Sequence, residues 1–198
     1  MKKAKPPPQE PDKGQPDPDT LLMLRVRDDD MEAFTLLVER YQQRIGNTVF
    51  RYTGDSAGAD DLTQEIFIKV FKARKSYEPT AKFSTWLWRI VTNLCLNEIR
   101  NRKHRPSLSL DDNPLLEPGE EDPTALALSR RELAEAVRQA LDSLPENQRM
   151  AVILSKWEDQ PYEEIAASLN LSVPAVKSLL FRARQAMKEQ LEKFLSPE

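Results

Sequence analysis

Tyr162-Glu-Glu-Ile-Ala-Ala-Ser-Leu-Asn-Leu-Ser-Val-Pro-Ala-Val-Lys-Ser-Leu-Leu-Phe-Arg-Ala-Arg184 divides, on its own spacing, into two short helices and a tight turn. The first helix spans about Tyr162 to Leu169, and Asn170-Leu171-Ser172 makes the turn. Ser172 suits an N-cap, because its hydroxyl can accept an orphan backbone N–H at the start of the second helix. In that second helix Val176, Leu179, Leu180, Ala183 and Met187 repeat at helical spacing and form one apolar stripe. Lys177, Ser178, Phe181, Arg182, Gln185 and Lys188 occupy the other side. A packed stripe backed by a basic, hydrogen-bonding stripe is what a recognition helix needs to enter a major groove. The plainer alternative is that bases near a helix C-terminus only complement the macrodipole.

Working outward, the chain of 198 residues has room for one or two domains. It holds only 5 Gly, and alternating β-branched runs and Asn-Gly turns are nearly absent, so the expected class is all-α. One Cys, Cys95, cannot form an intramolecular disulfide, which fits a reducing cytoplasm. No apolar run of about 18 residues is present to span a membrane. Met1-Lys-Lys-Ala-Lys5 lacks the apolar stretch that follows in a signal peptide. His104 and Cys95 are the sole residues of their types, too few for a zinc site. With no phosphate loop and no nucleophile–base–orienter set, the expectation is a protein that is not an enzyme and needs no cofactor or metal.

Charge divides the chain more sharply than its net of −3 suggests. Residues 1–19 contain six prolines and balance four bases with four acids, which reads as a disordered tail. Residues 20–105 carry 15 bases against 11 acids. Residues 106–123 carry six acids, four prolines and no base, which reads as a flexible acidic linker. Residues 124–195 carry ten of each sign. The expected organisation is therefore two small helical domains, 20–105 and 124–195, with the helix-turn-helix in the second. A protein gripping duplex DNA unaided is usually basic, since phosphate neutralisation supplies most of the affinity. This balance points to DNA binding with the help of a partner.

Periodicity predicts N-terminal helices at about 20–27, 31–52, 59–75 and 84–102. The second carries a stripe of Phe34, Leu37, Val38, Tyr41 and Ile45. In the third, Leu62, Ile66, Phe67, Val70 and Phe71 face inward, leaving Asp60, Asp61, Gln64 and Glu65 as an acidic, polar surface. Acids in a first turn also simply stabilise a helix, so this surface has a bland reading too. The fourth, Phe83 to Arg105, carries Trp86, Trp88, three Asn and a basic end. Trp86 and Trp88 cannot both share the stripe of Leu87, so at least one ring is expected near the surface. Aromatics beside Arg and Asn suit stacking on unpaired bases; the alternative is that both rings are core. In the second domain Leu133, Val137, Ala140, Leu141 and Leu144 mark one helix, and Pro145 opens the next, to about residue 157.

Four segments in this order, Asp60-Asp-Leu-Thr-Gln-Glu-Ile-Phe67, Phe83-Ser-Thr-Trp-Leu-Trp-Arg-Ile90, Ser143-Leu-Pro-Glu-Asn-Gln-Arg149 and Tyr162-Glu-Glu-Ile-Ala166, resemble the extracytoplasmic-function (ECF) sigma factors of the sigma-70 superfamily. The resemblance covers about 20–105 and 130–193. It implies a promoter-specificity subunit of RNA polymerase, acting in the cytoplasm, in transcription regulation and stress response. It implies that Asp60, Asp61, Gln64 and Glu65 dock on the β′ clamp helices of core polymerase, with a further contact to the β flap. It implies that Ala73, Tyr77, Phe83, Trp88 and Asn93 line a pocket for a base of the melted minus-ten element, with Asn97 and Arg100 on the same DNA. It assigns duplex reading of the minus-thirty-five element to Lys177, Ser178, Phe181, Arg182 and Arg184. An anti-sigma factor is the expected inhibitory partner. Pro174 departs from the family, where small residues are common, but Pro is tolerated in a first helical turn. A stand-alone helix-turn-helix regulator is the alternative, for which residues 60–105 offer no ligand pocket or long dimer stripe.

Overall fold

The computed structural model of the protein describes residues 17–104 and 125–195. These form α1 (Pro18–Arg27), α2 (Met31–Thr53), α3 (Ser56–Lys72), α4 (Phe83–His104), α5 (Ala125–Asp142), α6 (Glu146–Lys156), α7 (Tyr162–Leu169) and α8 (Val173–Leu195). A 3-10 turn, Arg74–Ser76, follows α3, and no strand occurs among the described residues. The fold is all-α, as expected. The acidic linker and the first sixteen residues of the tail lie outside the described residues.

Local chemistry explains each boundary. α1 starts at Pro18, inside the stretch read as tail, because Pro presets helical φ and lacks the N–H that a first turn leaves unpaired. Asp19 in that turn accepts the Tyr41 hydroxyl at 2.6 Å and pairs with Arg40, fastening α1 to α2. The buried Thr20 hydroxyl accepts the N–H of Phe83 at 3.2 Å, which ties α1 to the start of α4. Asp30 caps α2 by accepting the N–H of Ala33 at 3.0 Å, and Gly54, at φ 70°, ends it in a left-handed turn that glycine adopts without strain.

α3 begins three residues earlier than the expected 59. Asp55 caps it, accepting the N–H of Gly58 at 3.0 Å, so Gly58 is helical rather than part of a break. The same carboxylate accepts Arg102 at 2.8 Å. A Cβ on Gly58 would sit 2.4 Å from Asp55 Oδ2 and 2.5 Å from the Arg102 guanidinium, so glycine leaves room for this junction. α3 ends at Lys72 rather than 75 because Arg74 and Lys75 both turn back to Asp29, at 2.9 and 2.6 Å.

One continuous core runs from Met23 in α1 to Ala183 in α8. α2, α3 and α4 enclose its N-terminal part; α6, α7 and α8 enclose its C-terminal part. The two domains do not stand apart: α7 lies against α4, and α6 lies against α2. Charge and periodicity gave no sign of that juxtaposition. Leu133, expected on the α5 stripe, is 47% exposed, because full burial on α5 is reached only at Ala140 and Leu141, and Leu144 lies beyond its end.

Candidate nucleic-acid and polymerase interfaces

The outer face of α8 has the burial pattern that the spacing predicts. Ser172 accepts the N–H of Ala175 at 3.3 Å, and Asn170 at φ 53° closes α7. Val176, Leu180 and Ala183 are buried, while Leu179 and Met187 are half-buried. Rotation then leaves Lys177, Ser178, Phe181, Arg182 and Arg184 exposed together. Phe181, at 63% exposure, is a large apolar ring held in water on a basic face. Arg184 donates to the Tyr162 hydroxyl at 3.4 Å, which fixes it against α7.

α3 turns Leu62, Ile66 and Val70 inward and keeps Asp60, Asp61, Gln64 and Glu65 exposed on its outer side. Ile68 shares that side and is 53% exposed. It was not foreseen, although its position out of phase with Leu62, Ile66 and Val70 is the signal. An apolar side chain bordered by acids has the layout of protein interfaces, where apolar anchors sit inside a polar rim.

α4 behaves differently. Tyr77, Phe83 and Trp88, expected to line a base pocket, are each about 1% exposed. Tyr77 and Phe83 belong to an aromatic cluster: Tyr41–Phe83 centroids lie 5.6 Å apart, Tyr77–Phe83 6.2 Å and Tyr77–Trp86 5.1 Å. Their rings fill the core where α1, α2 and α4 meet, so in this structure they support the surface rather than form it. Trp88 is covered by Arg44, whose guanidinium lies 5.8 Å from its ring centre. Trp86 is the half-buried ring of the two.

The remaining candidates are accessible: Ala73 is half-buried, and Asn93, Asn97 and Arg100 are exposed. Asn93, Asn97 and Arg100 fall on one line of α4 at helical spacing, together with exposed Arg89 and half-buried Trp86. Trp86 is thus the ring that the sequence places near the surface, although the resemblance assigned the base pocket to Trp88, and Arg89 is the member of this line that the sequence did not single out. Arg102, by contrast, is consumed structurally by Glu98 at 2.7 Å and Asp55 at 2.8 Å. Cys95 is fully buried and burial pushes its thiol up to about 12, which makes it inert.

Among the described residues no group of His, Cys, Asp and Glu could hold a metal ion, and no helix is long and apolar enough to cross a membrane.

A helix-turn-helix with an exposed basic second helix, a helix lined with Trp, Asn and Arg, and a separate acidic face define a two-domain helical protein. Residues 37–105 match the family model for sigma-70 region 2, and residues 134–187 match that for sigma-70 region 4. The ECF RNA polymerase sigma-E factor of Escherichia coli K12 is 37% identical over 182 residues, spanning 88% of this chain and 94% of that protein. The RNA polymerase sigma-H factor of Pseudomonas aeruginosa is 35% identical, spanning 89% and 95%. Two solved structures share the fold. CnrH bound to the cytosolic domain of CnrY superposes with a TM-score of 0.67 at 23% identity, covering 89% of this chain and 98% of that one. The sigma factor RpoE bound to the anti-sigma factor NepR from Bartonella quintana gives 0.64 at 22%, covering 80% and 96%.

The chain belongs to the ECF sigma factors of the sigma-70 family. Its work is that of an RNA polymerase sigma factor in transcription initiation, and the stand-alone regulator is not favoured.

Proposed function

We propose a division of labour among three faces. Asp60, Asp61, Gln64 and Glu65, with Ile68 among them, dock on the β′ clamp helices of core RNA polymerase. The α4 line of Asn93, Asn97 and Arg100, with Ala73 beside the preceding turn, takes the minus-ten element as single strand. Trp86 supplies the accessible stacking edge, and Tyr77, Phe83 and Trp88 back the site from the core. Base extrusion costs a few kcal/mol, which stacking and edge hydrogen bonds offset. Lys177, Ser178, Phe181, Arg182 and Arg184 read the minus-thirty-five element in the major groove, where Arg pairs with guanine edges and an aromatic ring packs on thymine methyl groups.

The observation that carries this reading is the capped α8, which keeps all five readers exposed opposite Val176, Leu180 and Ala183. A second support is an apolar cavity of about 410 Å³ between α6 and α8, lined by Val152, Trp157, Leu180, Met187 and Leu191 among others. We assign it to an apolar segment of the polymerase β flap or of an anti-sigma factor; the sigma factor RpoE was solved with such a partner. The protein works in the cytoplasm and catalyses nothing itself.

Size exclusion with core polymerase tests the docking face. Asp61→Lys is expected to abolish co-elution while thermal unfolding stays within about 0.5 kcal/mol of the parent, since the site is exposed. Normal co-elution of that variant removes the acidic face of α3 from the interface.

A further inference from the structure

Residues 77–82 join the 3-10 turn to α4, and beyond the buried Tyr77 ring residues 78–82 are all exposed. Inside this loop the Thr80 N–H reaches the Glu78 carbonyl at 2.8 Å. So open a loop takes its position from the scaffold at its two ends. Both ends are fastened to α1 or to the residues just past it.

At the front end, Asp29 accepts Arg74 at 3.0 and 2.9 Å on one carboxylate oxygen and Lys75 at 2.6 Å on the other. Lys75 also donates to the Arg27 carbonyl at 2.8 Å. Arg74 donates to the Phe71 carbonyl at 2.9 Å, and its guanidinium lies 3.9 Å from the Phe71 ring centre. The Arg74 carbonyl in turn accepts the N–H of Tyr77 at 3.2 Å. At the back end, the Thr20 hydroxyl of α1 accepts the N–H of Phe83 at 3.2 Å.

Asp29 holds its place at a conformational disadvantage. Its φ of 69° is left-handed, a region that glycine enters more readily than any residue with a Cβ. Its ion pairs are open to solvent, and exposed pairs contribute little to stability. What the carboxylate does here is orient two consecutive bases at the entry to the loop.

The two ends converge on one ring. Tyr77 lies 5.1 Å from Trp86 and Phe83 lies 5.9 Å from it, centre to centre. Trp86 is the half-buried ring at the head of the α4 line of Arg89, Asn93 and Asn97. One route to it runs from Asp29 through Arg74 and Tyr77, the other from Thr20 through Phe83. We propose that Asp29 and Thr20 are positioning residues for single-strand recognition: α1 braces the loop at both ends and so holds the Trp86 edge where an unpaired base stacks. Binding groups need to be held to within about 0.5 Å by a supporting layer of this kind. The proposal rests on the reading of α4 as the single-strand face.

The test uses the full chain bound to core polymerase and a randomised pool of single-stranded oligonucleotides, read as enrichment of the preferred sequence over the pool. Asp29→Gly keeps the left-handed backbone without strain, so its unfolding midpoint should not fall, yet enrichment should drop about tenfold, the scale of one stacked base. Thr20→Val should lower enrichment in the same way, and Thr20→Ser, which keeps the acceptor, should restore it. Simple electrostatics predicts a different result for Asp29→Gly, because the variant removes a negative charge and frees two bases for phosphates. Tighter binding with unchanged enrichment therefore overturns the proposal. In a Trp86→Ala background, Asp29→Gly should add no further loss to the enrichment that Asn93 and Asn97 still supply. A full further loss overturns the route through the ring. Amide exchange of the free chain reads the brace itself: Asp29→Gly should speed exchange at Ser76 and Tyr77 and leave Leu62 and Ile66 unchanged, and no acceleration overturns it. If the parent enriches no sequence, the single-strand reading of α4 fails and the role in recognition falls with it, while the exchange rates still decide whether α1 braces the loop.

Discussion

α8 and α4 are both assigned to DNA, and they hold their readers in opposite ways. The five candidate residues of α8 are all exposed on a helix whose apolar stripe alone makes the fold. Of the seven candidates on or before α4, Tyr77, Phe83 and Trp88 are buried core rings, and Arg100 is engaged by Glu146. Duplex reading needs a preformed, protruding helix, because the major groove presents base edges without rearrangement. Single-strand reading needs pockets and stacking planes, and here those aromatic residues are shared with the core. The same residues that would receive a base now carry stability.

The sharpest way to break this comparison is a pair of aromatic truncations. Trp88→Ala should cost about 3–5 kcal/mol of unfolding free energy, as for a large buried ring. Phe181→Ala should leave stability within about 0.5 kcal/mol and weaken minus-thirty-five duplex binding instead. Denaturant melts and duplex titrations of the two variants measure both sides. Similar stability losses would erase the distinction between the helices.

A smaller effect is expected at Arg182→Ala. Duplex affinity should fall by about 1–3 kcal/mol, with relaxed sequence preference at one position, if the guanidinium reads a base edge. A uniform loss across sequences would move it to the phosphate backbone. The smallest effect concerns Asp55, which joins the α3 cap to the end of α4. Its carboxyl is held below the ordinary 3.8, first by the N–H of Gly58 and then by Arg102. A depressed folded-state pKa means that the ionised carboxylate stabilises the fold above about pH 4 and loses this effect as pH falls through the folded value. The melting difference between the parent and Asp55→Asn should therefore be full at pH 7 and shrink below pH 4. A difference that does not change with pH would assign the junction to hydrogen bonding without charge.

The helix-turn-helix was legible because each of its determinants is local: a cap at Ser172, a left-handed Asn170 and a stripe of period 3.6. The acidic side of α3 was legible for the same reason, and Ile68 on that side is marked only by falling out of phase with the buried Leu62, Ile66 and Val70. The depth of Trp88 was not legible, since its cover is Arg44, 44 residues away and held by Glu158 from the other domain. The start of α1 at Pro18 was hidden by its proline-rich neighbourhood, where composition outweighed the first-turn preference of a single Pro. The packing of α7 on α4 was invisible in principle to periodicity, which reports that a face is buried and not what buries it.

The central claim is that this chain gives core RNA polymerase its promoter choice through these two unlike helices. The most direct test combines the purified full chain with core polymerase on a pool of promoter fragments and reads strand opening by permanganate reactivity. The account predicts a stable complex that opens a subset of fragments sharing two spaced elements. Absence of a complex, together with tight sequence-specific duplex binding by the chain alone, would contradict it.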